Sequence, residues 1–406
     1  MSQQKQSYVG PLIIIGLLFF VFGFVTWVNG TLITFFKKAF NLDNTSSYLV
    51  TFAFFISYTV MAIPSSEVLK RTGFKRGMSL GLVVMAVGTL IFVPAAQMAS
   101  YSLFLVGLFT IGIGLTLLQT ASNPYATILG PRESAAQRIS FLGVANKMAG
   151  IFSQRIFGGI LLAGSAAATP QEELQKVEIP YMIMTAVLVV LAAVIWFSKG
   201  LPEVNEEQED VQDATTKVAH SSVFSFPNLV LGVAAIFCYV GAEVIAGDTI
   251  ISYGVSLGFP EEQASVFGTY TLWAMLAAYL AGIVLIPKFL SQEFCLKASA
   301  VLGIIFTVLA VLTNGITSVI FVALMGLSNA LVWPAVWPLA IDGLGKFTKT
   351  ASALLIMGIA GGAVLPLLYG QLADALGSTQ QAYWIMLPLY GFILYYALIG
   401  YKKRSW

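Results

Sequence analysis

Four ionisable side chains interrupt stretches that are otherwise apolar: Lys147 and Arg155, then Glu243 and Asp248. A charge at mid-bilayer costs about 2.5–3.5 kcal/mol on insertion scales, so each is a candidate contact for an ion or a polar substrate. The five residues between Glu243 and Asp248 turn an α-helix through about 500°, leaving the two carboxylates about 140° apart. This predicts that one faces a central cavity and the other a neighbouring helix, where Glu243 could pair with Lys147 or Arg155. Asp248 has Thr249 and Ser252 alongside as hard oxygen donors, and Gly247 permits a helix interruption. Asp248, with Glu243 and Thr249, is therefore the candidate cation-coupling set, and Asp248 the candidate Na+ ligand. Lys147 lies about ten residues into its helix, roughly 15 Å along the axis, and is too deep to snorkel. It must pair with a carboxylate or bind a polar ligand.

Neutral amides accompany these charges: Asn29, Gln119, Asn123, Asn146 and Asn329. An amide offers both donors and an acceptor, which suits a ligand presenting several hydroxyls in fixed directions. Trp27, Trp273, Trp333 and Trp337 offer flat apolar faces with one N–H each, as a sugar ring requires. Trp333-Pro334 and Trp337-Pro338 put a proline helix break beside an aromatic, which favours a cavity position. Together these groups read as a polyol site.

The elements that must hold them are membrane helices. Of 406 residues, 58% are hydrophobic and 10% charged, against about a quarter charged in soluble domains. A soluble enzyme is excluded, and the expectation is that the protein is not an enzyme. A net charge of +2 gives no reason to expect nucleic acid. The single His220 and the two cysteines, Cys238 and Cys295, provide neither a metal cluster nor a disulfide framework, so no cofactor is expected. The first apolar run is too long for a signal peptide and lacks a small-residue cleavage site, so it is expected to remain as a helix.

Apolar windows predict twelve transmembrane helices, numbered 1 to 12, near 10–36, 46–69, 78–97, 101–128, 137–164, 179–198, 227–255, 262–287, 296–313, 317–341, 348–375 and 380–401. They divide into a six-helix bundle over 1–199, an acidic cytoplasmic linker over 200–226 and a second six-helix bundle over 227–406. With the N-terminus inside, sixteen Lys and Arg fall on the cytoplasmic side and three, Lys37, Lys38 and Lys176, outside. Both termini are thus expected in the cytoplasm.

The two sets repeat one another. Gly30-Thr31-Leu32-Ile33-Thr34-Phe35 of helix 1 aligns without gaps on Asp248-Thr249-Ile250-Ile251-Ser252-Tyr253 of helix 7. Gln119 and Pro124 of helix 4 stand opposite Asn329 and Pro334 of helix 10. Parallel repeats about an axis along the membrane normal are the architecture of the major facilitator fold, in which substrate sits between the halves and access alternates by rocking. The fold class expected is therefore all-α integral membrane, two pseudo-symmetric six-helix bundles.

Four segments carry a closer likeness: 22–33 (FGFVTWVNGTLI), 118–131 (LQTASNPYATILGP), 239–244 (YVGAEV) and 329–338 (NALVWPAVWP). They resemble sugar transporters of the fucose permease branch of the major facilitator superfamily, and more closely its bacterial glucose/galactose members. The loop after helix 2, Lys70 to Arg76, is a degenerate form of the superfamily signature, with Lys70 where an Asp is usual. The resemblance implies a hexose symporter of the bacterial cytoplasmic (inner) membrane, monomeric, with lipid, hexose and Na+ or H+ as partners. Proton-coupled fucose permeases carry an Asp after the helix 1 Asn and a Glu in the helix 4 motif; this chain has Gly30 and Gln119. With both acids missing and Asp248 at the repeat equivalent of Gly30, coupling is expected to have moved to helix 7 and to use Na+. Asn146 matches a sugar-contacting Asn of those permeases, and the expected substrate-binding set is Asn29, Gln119, Asn123, Asn146, Lys147, Trp273, Asn329, Trp333 and Trp337.

Overall fold

A computed structural model describes residues 9–128, 135–162, 169–198, 222–286, 289–344 and 347–404, with backbone alone at 9, 123–128, 135–139 and 348–349. The described residues are helical apart from short turns. Eleven helices among them are long and apolar enough to cross a membrane. Helix 5, Ala135–Phe157 running into a π turn at Gly158–Leu162, is as long but falls short in apolarity because it carries Asn146, Lys147, Gln154 and Arg155. The residues that make helix 5 the least lipid-like also make it the most chemically equipped. Most of the predicted acidic linker, 200–221, lies outside the described residues.

Several helices are interrupted, with local causes. Helix 1 is Val9–Thr26 followed by Asn29–Ala39, and helix 7 is Pro227–Asp248 followed by Ile250–Ser256. Helix 10 is Gly315–Ala330 followed by Val332–Ile341. Its first segment ends four residues before Pro334, whose ring excludes the carbonyl at i−4 and which has no N–H to donate. Between helix 2, Leu49–Thr72, and helix 3, Phe74–Gln97, the connection is the single residue Gly73 with φ +74°, which only glycine adopts without strain.

The packing obeys the repeat. Helix 4 is Tyr101–Ile128, helix 6 Glu178–Phe197, helix 8 Phe267–Leu285, helix 9 Gln292–Leu312 and helix 12 Met386–Leu398. Helix 11 runs from Thr348–Met357 through a 3₁₀ turn, Gly358–Ala360, to Gly361–Leu376. In the first half helix 3 packs on 4 and 6, helix 2 on 4 and helix 1 on 5; in the second, helix 9 packs on 10 and 12, helix 8 on 10 and helix 7 on 11. The pairs that join the halves, 5 with 8 and 11 with 2, are also exchanged by the repeat. Gly361 admits the Phe237 carbonyl so closely that a Cβ would lie 1.8 Å from it, as expected of a glycine that lets helices pack.

The side chains left on the outside are apolar. On helix 6, Ile179, Ile183, Val190 and Phe197 are each at least 60% exposed. In water that would be an aggregation surface; around a membrane bundle it is the lipid contact.

Candidate functional site

Between the halves lies a cavity of about 210 Å³. Helices 1, 2, 4 and 5 line it from one half and helices 7, 8, 10 and 11 from the other, four equivalent elements from each repeat. Its volume is below the roughly 300–1,000 Å³ of drug-sized pockets and suits a small ligand.

Its centre is an ion pair. Lys147 Nζ on helix 5 donates to Glu243 Oε1 on helix 7 at 2.9 Å, with side chains 7% and 13% exposed. The same ammonium lies over the Trp27 ring, 4.2 Å from its centroid, a cation–π contact. Trp27 Nε1–H donates to Asn146 Oδ1 at 3.2 Å, and Asn146 Nδ2 reaches the Phe19 carbonyl at 3.4 Å. Trp27 thereby positions Asn146 and Lys147, the two polar residues of helix 5 that line the cavity.

Asp248 lines the same cavity one helical turn and a little further along helix 7. It is 1% exposed, and its Oδ1 has no hydrogen-bond partner among the described residues. The Gly30 backbone amide faces its carboxylate. A Cβ on Gly30 would lie 3.0 Å from the Asp248 Cα, so the glycine lets helices 1 and 7 touch at repeat-equivalent positions. Lys147, Glu243 and Asp248 thus face one cavity with two carboxylates and one cation.

The placement departs from expectation at several residues. Both Glu243 and Asp248 line the cavity, not one alone, because with Tyr239, Val240 and Val244 they give it a face about half the circumference of helix 7. Thr249 does not join Asp248: its hydroxyl donates to the Ile245 carbonyl at 2.7 Å and shares a 2.7 Å hydrogen bond with Tyr383. Asn29 is fully buried and does not line the cavity; it opens the second segment of helix 1, beyond the break that follows Thr26. Asn329 is also fully buried, its Oδ1 accepting from the Tyr390 hydroxyl at 3.0 Å and tying helix 10 to helix 12. Trp273 is 48% exposed, while Tyr279 on the same helix, about 120° round, faces the cavity. Trp337 stands behind Trp333, ring centroids 5.2 Å apart, and only Trp333 reaches the cavity. Gln119, Asn146, Lys147 and Trp333 line it; the Asn123 side chain lies outside the described residues.

The cavity also uses residues that the sequence reading missed. Phe19, Phe22 and Thr26 form an i, i+3, i+7 stripe on helix 1, and Tyr239 sits one turn before Glu243. For Tyr239 that spacing to a membrane-embedded charge was the available signal; the segment Val9–Thr26 carries no charge to give one. Tyr58, Phe55 and Tyr279 had none, since nothing in their own segments distinguishes a cavity face from a packed one.

Near the 1–2, 7–8 and 11–12 connections the halves are tied by exposed groups. Lys38 pairs with Glu261 at 2.9 Å. Asp374 on helix 11 accepts from the Asn44 and Thr45 backbone amides at 3.1 and 2.8 Å, from Asn44 Nδ2 at 2.7 Å and from Thr45 Oγ1 at 2.5 Å. Gly370, one turn earlier, leaves room for the Tyr48 ring.

Comparison with known proteins agrees with this architecture. Residues 15–360 match the family described as Major Facilitator Superfamily. A glucose/galactose transporter of Brucella abortus is 34% identical over 99% of this chain and 97% of its own. The L-fucose-proton symporter of Escherichia coli is 28% identical over 99% of this chain and 95% of its own. Among solved structures, the major facilitator transporter FucP in the outward conformation aligns with a TM-score of 0.73 at 26% identity, covering 96% of this chain and 98% of that one. A D-xylose-proton symporter gives the same TM-score at 15% identity, a likeness of fold alone.

Proposed function

This chain belongs to the major facilitator superfamily, and from that premise we propose that it is a cation-coupled hexose symporter, binding sugar between its two halves and exposing it alternately to each side of the membrane. The observation that carries the reading is the cavity between the halves in which Gln119, Asn146, Lys147, Glu243 and Asp248 stand among Trp27, Trp333 and Tyr279. Hydroxyl-matching polar groups set against flat aromatic faces suit a sugar ring. The printed names of the relatives, glucose/galactose transporter and L-fucose-proton symporter, point to the same substrate class.

Charge balance supports coupling. Lys147 and Glu243 neutralise each other, and Asp248 is left with no cation of its own. An isolated buried carboxylate is costly until it takes up a monovalent cation. We propose H+ as that ion. Asp248 offers one unpartnered oxygen, and Thr249, the expected second donor, is turned toward Tyr383. Na+, the ion expected from the sequence, remains as a second reading because helix 7 is interrupted directly after Asp248, where freed backbone carbonyls could ligate it.

The proposal extends to location: a bacterial cytoplasmic membrane, both termini on the cytoplasmic side, and the segment 200–226 joining bundles 1–199 and 227–406. Uptake of labelled glucose into proteoliposomes, with H+ and Na+ gradients imposed separately and galactose, fucose and mannose as competitors, tests it. Accumulation under the proton gradient alone supports the reading, and accumulation under Na+ alone selects the second. No uptake or binding of any hexose would overturn the substrate class.

A further inference from the structure

We infer that Lys147 and Glu243 act as one preformed hydroxyl clamp, the contact that decides which sugar hydroxyl the site requires, leaving Asp248 alone to serve the coupled cation. The inference rests on the hexose reading and assigns Glu243 to the sugar.

The first argument is access. Glu243 and Lys147 line the cavity with side chains 13% and 7% exposed, whereas Asp248 is 1% exposed with its Oδ1 sealed. A sealed oxygen can be reached by a small ion but not by a ring; an open one can be reached by a hydroxyl. The second is valence. Of the three ammonium donors of Lys147, one is used on Glu243, and the Trp27 ring covers a face of the group. Glu243 has the Tyr239 hydroxyl beside it as well, but two carboxylate oxygens offer about four acceptor positions, so capacity remains after Lys147 and Tyr239. A hydroxyl is donor and acceptor at once, so one placed against the pair can donate to the carboxylate and accept from the ammonium.

The third argument is charge. The pair is neutral as a unit and a hexose is neutral, so binding brings no new charge into the cavity while both new hydrogen bonds are charge-assisted and about twice as strong as neutral ones. Two charges facing an aromatic cavity are a costly way merely to join two helices, since a well-packed apolar pair often does that as well or better. The pair also spans the halves, Lys147 from helix 5 and Glu243 from helix 7, so a hydroxyl held by both is held by both bundles. Asn146 stays fixed by Trp27 beside the ammonium and sets the edge from which the ring approaches.

The test measures binding of glucose and of its 2-, 3-, 4- and 6-deoxy analogues to the purified wild type, Lys147→Gln, Glu243→Gln and the double variant, with uptake in proteoliposomes alongside. The wild type is expected to disfavour one deoxy analogue by about 10- to 100-fold, the range for a hydrogen bond to a charged group. Both single variants should bind glucose more weakly and accept that analogue as well as glucose. The double variant should lose no more affinity than the worse single variant. A wild-type deoxy profile in all three variants, or single losses that add in the double variant, would overturn the clamp. Should a neutral variant fail to fold, Glu243→Asp, which keeps the charge and withdraws it by one methylene, decides: a selective change at that one deoxy position supports the clamp and an unchanged profile overturns it. A wild type that binds no hexose at all refutes the substrate reading, and the clamp with it; a wild type that binds while the variants keep its profile refutes the clamp only.

Discussion

The halves of this molecule meet in two regions built from different materials. Near the 1–2, 7–8 and 11–12 connections they are joined by exposed contacts, Lys38 with Glu261 and Asp374 with Asn44 and Thr45 ahead of helix 2. Deeper in, they are joined by one nearly dry ion pair, Lys147 with Glu243, beside a carboxylate with no cation. Exposed ion pairs are worth about 0.2–1 kcal/mol each, because water screens them and competes for them. Removing one partner of a buried pair costs about 3–5 kcal/mol, because the other charge stays behind unsolvated. The first region can open and close at little cost in free energy, as an alternating transporter needs. The second must change its charge or its ligands whenever it changes shape, and this can tie movement to binding.

Substitutions can break that comparison, and their effects should fall in order. Asp248→Asn should abolish concentrative sugar uptake while sparing exchange; accumulation at the wild-type level would remove Asp248 from coupling. Lys147→Met leaves Glu243 buried without its cation and should lower stability by about 3–5 kcal/mol, read as thermal unfolding in detergent, with recovery in Lys147→Met/Glu243→Gln. If the single and double variants melt together, the pair carries no such strain. Gln119→Ala should weaken glucose binding by about tenfold, one hydrogen bond's worth, without altering the number of ions moved per sugar.

Effects in the exposed region should be smaller. Asp374→Ala removes the acceptor of four hydrogen bonds, yet the site is wet. The expected outcome is a shift of about 1 kcal/mol toward opening of that face, seen as faster labelling of a cysteine placed at Ser46, which leaves the Asp374 contacts intact, in a background lacking Cys238 and Cys295. Unchanged labelling would mean that the Asp374 contacts do not hold the face closed. Trp273→Ala, on the lipid side of helix 8, should leave sugar affinity unchanged; a tenfold loss would restore Trp273 to the site.

How much of the site was legible follows from what each residue could signal alone. Lys147, Glu243 and Asp248 stood out because charges in apolar helices are expensive wherever the helices sit. Gln119, Asn146 and Trp333 stood out by type and reach the cavity, but Asn29, Asn329 and Trp273 stood out equally and do not. Membership of a helix is a property of one segment; the direction a side chain faces depends on breaks such as those at Trp27 and Leu331 and on the neighbours that fill the other faces. Tyr58 and Tyr279 were invisible for the same reason, since each becomes a cavity residue only when the opposite half leaves a gap in front of it.

The sequence by itself determined that this is a membrane bundle of two repeated halves, because apolar length and repeat register are local quantities summed along the chain. Only the tertiary structure decided that Glu243 pairs with Lys147 and not with Arg155, that Asp248 shares their cavity against Gly30, and that Thr249 turns to Tyr383. Those outcomes depend on distances between helices far apart in the chain, and electrostatic and steric energies change over a few ångströms that no spacing in the sequence records.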